Sequence, residues 1–108
     1  MTAQVKKEDC PPDPAPSPDA LVRVLLISNK KGLHARASAK FVQTVERFDA
    51  SVRVTRCGET VGGTSIMGLM MLSAGPGTTI TVEARGLEAA EVMNALGELV
   101  ANRFGEEG

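Results

Sequence analysis

A two-layer α+β domain with elements in the order β-α-β-β-α-β-α is what this chain of 108 residues predicts. Three observations carry that expectation. In "TTITVEARG" the residues Ile80, Val82 and Ala84 alternate with Thr79, Thr81, Glu83 and Arg85, the period of a strand with one wet face. Two longer stretches instead place apolar residues at helical spacing. "ASVRVTRCGETVGG" alternates, breaks at Cys57-Gly58-Glu59 and resumes, as a hairpin does. Strands with helices gathered on one face give two layers.

The elements follow in order. Residues 21–28, "LVRVLLIS", are aliphatic and β-branched and read as a strand buried on at least one face. A loop over 29–33 leads into a helix over 35–48, where Phe41, Val42, Val45 and Phe48 form the inner stripe and Ser38 extends it. Arg36, Lys40, Gln43 and Arg47 fall on the wetter side. The hairpin comes next. "TSIMGLMMLSAG" then predicts a short apolar helix with Ser or Thr at its start and Gly75-Pro76-Gly77 beyond its end. The alternating strand follows. Residues 87–103 place Ala89, Val92, Met93, Leu96, Leu99 and Val100 on one helical stripe. Gly97 within that stripe costs about 1 kcal/mol relative to alanine.

The chain divides into a disordered Pro-rich extension over 1–20, a domain over 21–104 and a short C-terminal tail over 105–108. A net charge of −1 offers no general attraction to nucleic acid or an anionic membrane. Tryptophan and tyrosine are absent, so base stacking on aromatic platforms is not expected. No apolar run has the length of a membrane span and no signal-peptide core begins the chain, which predicts a cytoplasmic protein. The two cysteines, Cys10 and Cys57, lack zinc spacing and read as unrelated thiols. No cofactor or metal is expected.

Chemistry concentrates at His34, the only histidine, at the mouth of the first predicted helix. A helix start offers N–H groups without intrahelical partners and the positive end of the dipole, so anions are held there. Arg36 adds a guanidinium suited to phosphate oxygens, and Gly32 lets the loop turn tightly. Imidazole is a competent nucleophile near neutral pH. These features fit a phosphoryl acceptor; composition alone favours a plain surface histidine, and a general base would need partners elsewhere in the chain. In "SIMGLMML", Leu69 and Leu72 are natural core residues, whereas Ile66, Met67, Met70 and Met71 cannot all be buried behind them. A thioether-rich docking patch is expected. Ser65 reads as the N-cap of that helix and as a site where a phosphate would block docking.

"GLHARAS" and "GTSIMGLMML" together resemble the active-site and regulatory segments of HPr, the histidine-containing phosphocarrier family of the phosphoenolpyruvate-dependent phosphotransferase system. The likeness runs from about Leu21 to Arg103, and "SIMGLMML" is especially similar to HPr-like proteins of the nitrogen-related branch and of proteobacteria that carry an HPr kinase. The resemblance implies an open-faced β-sandwich, a four-stranded antiparallel sheet of order 1-4-2-3 covered by three helices. It implies phosphorylation of His34 on Nδ1 by enzyme I, stabilisation by Arg36, and delivery to an enzyme IIA in sugar uptake or in nitrogen and carbon regulation. It implies that HPr kinase/phosphorylase modifies Ser65, and that a monomer docks partners through Ala35, Ala39, Lys40, Ile66, Met67, Met70 and Met71. Two departures stand out. Ala37 occupies a place where many family members have proline, and Gln43 and Glu46 replace part of a lysine run found in some of them. Two rival readings remain from the residues: a binding module controlled through Ser65 with His34 idle, and a small hydrolase using His34 as base.

Overall fold

The computed structural model describes residues 19–106. Residues 1–18 of the extension expected over 1–20, and 107–108 of the tail expected over 105–108, lie outside the described residues. Four strands, β1 (Leu21–Leu26), β2 (Ser51–Arg56), β3 (Glu59–Gly62) and β4 (Thr79–Arg85), form one antiparallel sheet in the order β1-β4-β2-β3. Three helices, α1 (Ala35–Glu46), α2 (Ile66–Met71) and α3 (Ala89–Ala101), complete the predicted order, and a tight turn over Arg103–Gly105 follows.

Register explains the layering. Arg23 faces Val82, Leu25 faces Ile80 and Val54 faces Val82, so these residues share the helix side of the sheet. There Leu25, Val52, Val54, Ile80, Val82 and Ala84 are buried against Phe41 and Val45 of α1, Leu69 of α2 and Val92 and Leu96 of α3. The other face is open. On it Val22, Val24 and Leu26 are exposed, so the aliphatic β1 is covered less than its composition suggests; only Leu25 within it is buried.

Local chemistry closes each element. The β2–β3 hairpin turns through Cys57 and Gly58, at φ 52° and 80°, the paired positive values of a type I′ turn. Cys57 is disulfide-bonded, which corrects the expectation of two unrelated thiols; Cys10 lies outside the described residues. Ser65 caps α2, its hydroxyl accepting from the Gly68 N–H at 3.0 Å. At the other end of α2, Arg56 donates to the Leu72 carbonyl at 2.9 Å, meeting one of the orphan C-terminal acceptors. A Cβ at Gly97 would meet only Nη1 of Arg23, the flexible end of a side chain, at 3.0 Å.

Candidate functional site

The loop before α1 is pinned to the segment after α2. Leu33 donates its N–H to the Ala74 carbonyl at 2.9 Å. Gly32, at φ 64°, lies so close that a Cβ would stand 2.2 Å from the same oxygen. Only glycine fits that approach and that dihedral. Buried Asn29 closes the loop from within, its amide donating to the Gly32 carbonyl at 2.9 Å. Ser38, fully buried, ties α1 back to the loop through the Leu33 carbonyl at 3.2 Å.

This frame sets His34 as the N-cap of α1. Its backbone is extended, its carbonyl accepts from the Ser38 N–H, and its Nδ1 accepts from the Arg36 backbone N–H at 3.2 Å. The other ring nitrogen, Nε2, lies 2.7 Å from Oε2 of Glu106. An ionised carboxylate is an acceptor only, so Nε2 carries the ring proton and Nδ1 the lone pair. Glu106 also accepts from the Asn29 amide, at 2.9 Å through Oε1. That hydrogen bond, with the His34 ring beside it, holds the Glu106 carboxyl below its ordinary value of 4.5; partial burial works in the opposite direction.

Glu106 reaches the ring because of the turn before it. Arg103, Phe104 and Gly105 all have positive φ, 55°, 56° and 76°. For the two non-glycine residues that conformation costs about 1–2 kcal/mol each. Complete burial of Phe104 offsets about 2–3 kcal/mol of this, and Lys40 locks the turn by donating to the Phe104 carbonyl at 2.6 Å.

The result is an open cleft of about 400 Å³ lined by Lys30, Lys31, His34, Arg36, Lys40, Gly105 and Glu106. Four cationic side chains surround one half-buried imidazole, an arrangement that favours a dianionic group at the ring. The structure therefore brings His34, Arg36 and Lys40 together. Ser65 does not line this cleft. It heads α2, where Ile66, Met67, Met70 and Met71 are all exposed, at 39%, 70%, 40% and 69%, beside buried Leu69 and Leu72. Helix α1 packs against α2, with Ala35 exposed and Ala39 half-buried on it. Sequence reasoning missed Asn29, Lys30 and Lys31, although they stand in the same loop as His34. It also missed Glu106, for which no local signal exists. Among the described residues no group of three or more His, Cys, Asp or Glu is placed to hold a metal ion, and no helix is long and apolar enough to cross a membrane.

Residues 22–102 match the family described as "PTS HPr component phosphorylation site". The chain belongs to the HPr family. It is 52% identical over 86 residues to the phosphocarrier protein HPr of Cupriavidus necator, covering 80% of this chain and 97% of that one. A phosphocarrier protein NPr of Shewanella violacea is 37% identical over 86 residues, covering 80% and 94%. In three dimensions, HPr of Thermoanaerobacter tengcongensis matches with a TM-score of 0.78 at 38% identity, over 82% of this chain and 99% of that one. HPr of Bacillus anthracis matches at 0.72 and 40%, over 75% and 96%. HPr is a phosphocarrier family of the phosphotransferase system rather than a family of catalytic enzymes, and the sheet order of the structure is the one the family resemblance implied.

Proposed function

We propose that this HPr-family phosphocarrier accepts a phosphoryl group from phosphorylated enzyme I on Nδ1 of His34 and delivers it to an enzyme IIA. The observation that carries this reading is the ring geometry: Nδ1 faces the first turn of α1, while Nε2 is occupied by Glu106. The lone pair of Nδ1 attacks phosphorus as the bond to the donor atom breaks, and the electron pair of that bond stays with the donor. The Arg36 N–H, released from Nδ1, then donates to a phosphoryl oxygen, and the Arg36 guanidinium neutralises charge beside it. The P–N bond formed is reactive, so the group moves on to the next acceptor. The cationic cleft is open to solvent, which suits exchange between docked proteins; the protein is proposed to act as a cytoplasmic monomer. Incubation with enzyme I and labelled phosphoenolpyruvate gives acid-labile, base-stable label on the wild-type chain and none on His34→Ala. Equal labelling of both proteins overturns the assignment.

A second role at Ser65 is favoured by one observation: its hydroxyl caps α2 at the edge of four exposed apolar side chains. A phosphate placed there by an HPr kinase/phosphorylase adds about −2 charge to a docking patch without removing the cap. Partner binding that is lost in Ser65→Asp and unaffected by His34→Ala marks regulation as the main role of the protein. Binding that survives Ser65→Asp removes the regulatory proposal.

A further inference from the structure

Resting on the reading of His34 as phosphoryl acceptor, we propose that Glu106, held by Asn29, is a positioning residue that keeps the His34 proton on Nε2 and faces the positive charge of the ring once Nδ1 is phosphorylated. Two contacts on opposite edges of the imidazole require the same tautomer: Glu106 accepts at Nε2 across 2.7 Å, and the Arg36 N–H donates to Nδ1 across 3.2 Å. Asn29 orients the carboxylate. It is fully buried, its amide spans the Gly32 carbonyl and Oε1 of Glu106, both at 2.9 Å, and so it couples the loop that carries His34 to the residue that follows the Arg103–Gly105 turn.

The chemistry needs such a group. When the Nδ1 lone pair forms the new P–N bond, the bond between phosphorus and the donor breaks and its electrons leave with the donor. The proton stays on Nε2, and the ring becomes a cation. A carboxylate fixed against that proton stabilises the charge in place, as a buried acid orients the histidine of a hydrolytic triad. Onward transfer reverses the step: the P–Nδ1 electrons return to the ring, and Glu106 again faces a neutral imidazole. Without Glu106 only the 3.2 Å contact from the Arg36 N–H holds the ring, so its proton exchanges faster and reaches Nδ1 more often.

Proton and nitrogen NMR of labelled imidazole, with rapid-quench transfer from phosphorylated enzyme I, tests this on wild type, Glu106→Ala and Glu106→Gln. The wild type shows one ring N–H, on Nε2 and slow to exchange with water. That signal is lost in Glu106→Ala and regained in part in Glu106→Gln, whose amide oxygen still accepts. Transfer slows about tenfold in the alanine variant and less in the glutamine variant, while the backbone amide spectrum is unchanged. A wild-type proton on Nδ1, or Glu106→Ala transferring at the wild-type rate, overturns the proposal. Should the alanine variant unfold, the glutamine variant decides by the same two readouts. If the wild type takes no phosphate at His34, the phosphocarrier reading falls, while the NMR result still decides whether Glu106 positions the ring.

Discussion

Oε2 of Glu106 lies 2.7 Å from Nε2 of His34, although 72 positions separate the two residues in the chain. The contact joins the first loop of the fold to its last turn. It makes the residue that follows that turn part of the site.

This contact predicts a pH dependence of stability. The Asn29 amide and then the His34 ring depress the folded-state pKa of Glu106 below 4.5. A depressed carboxyl contributes stability that is present above its unfolded value and lost as pH falls through its folded value. Glu106→Gln removes that contribution. Chemical denaturation therefore shows wild type ahead of Glu106→Gln near neutral pH, with the gap closing as pH drops below 4.5. A gap that stays constant into acid contradicts the linkage.

Ser65 separates capping from regulation. Ser65→Ala loses the bond to the Gly68 N–H and lowers stability by about 1 kcal/mol. Ser65→Asp keeps an N-cap of comparable quality and unfolds near the wild-type midpoint. Partner docking follows the opposite order, retained in the alanine variant and weakened in the aspartate variant. Paired denaturation and binding measurements check both orders.

Two glycines respond in opposite directions. Gly32→Ala drives a methyl into the Ala74 carbonyl at a positive φ and costs at least about 2 kcal/mol. Gly97→Ala meets only the end of the flexible Arg23 side chain, so the guanidinium swings aside and helix propensity gains about 0.5–1 kcal/mol. Thermal denaturation of the two variants reads both signs. A destabilised Gly97→Ala would show that Arg23 is anchored beneath α3.

Much of this fold is written in local pattern. The alternation of Ile80, Val82 and Ala84 and the stripe from Val92 to Val100 give β4 and α3 directly, and Ile80, Val82, Ala84, Val92 and Val100 are all buried. Leu69 and Leu72 go inside and Met67 and Met71 outside because one short helix has only one inner stripe. His34 and Arg36 are legible because a helix mouth is a local feature. Glu106 is not, because its position depends on a left-handed turn and on Phe104 finding the core, neither of which any nearby residue signals. The exposure of Val22, Val24 and Leu26 is equally hidden, since composition cannot say which face of a strand is left uncovered.

Phosphorus NMR on the chain charged by enzyme I and phosphoenolpyruvate, with ring nitrogens labelled, probes the assignment of His34 most directly. One phosphoramidate resonance coupled to Nδ1 of His34 is the expected result. Phosphate on Nε2, or on any residue other than His34, contradicts it.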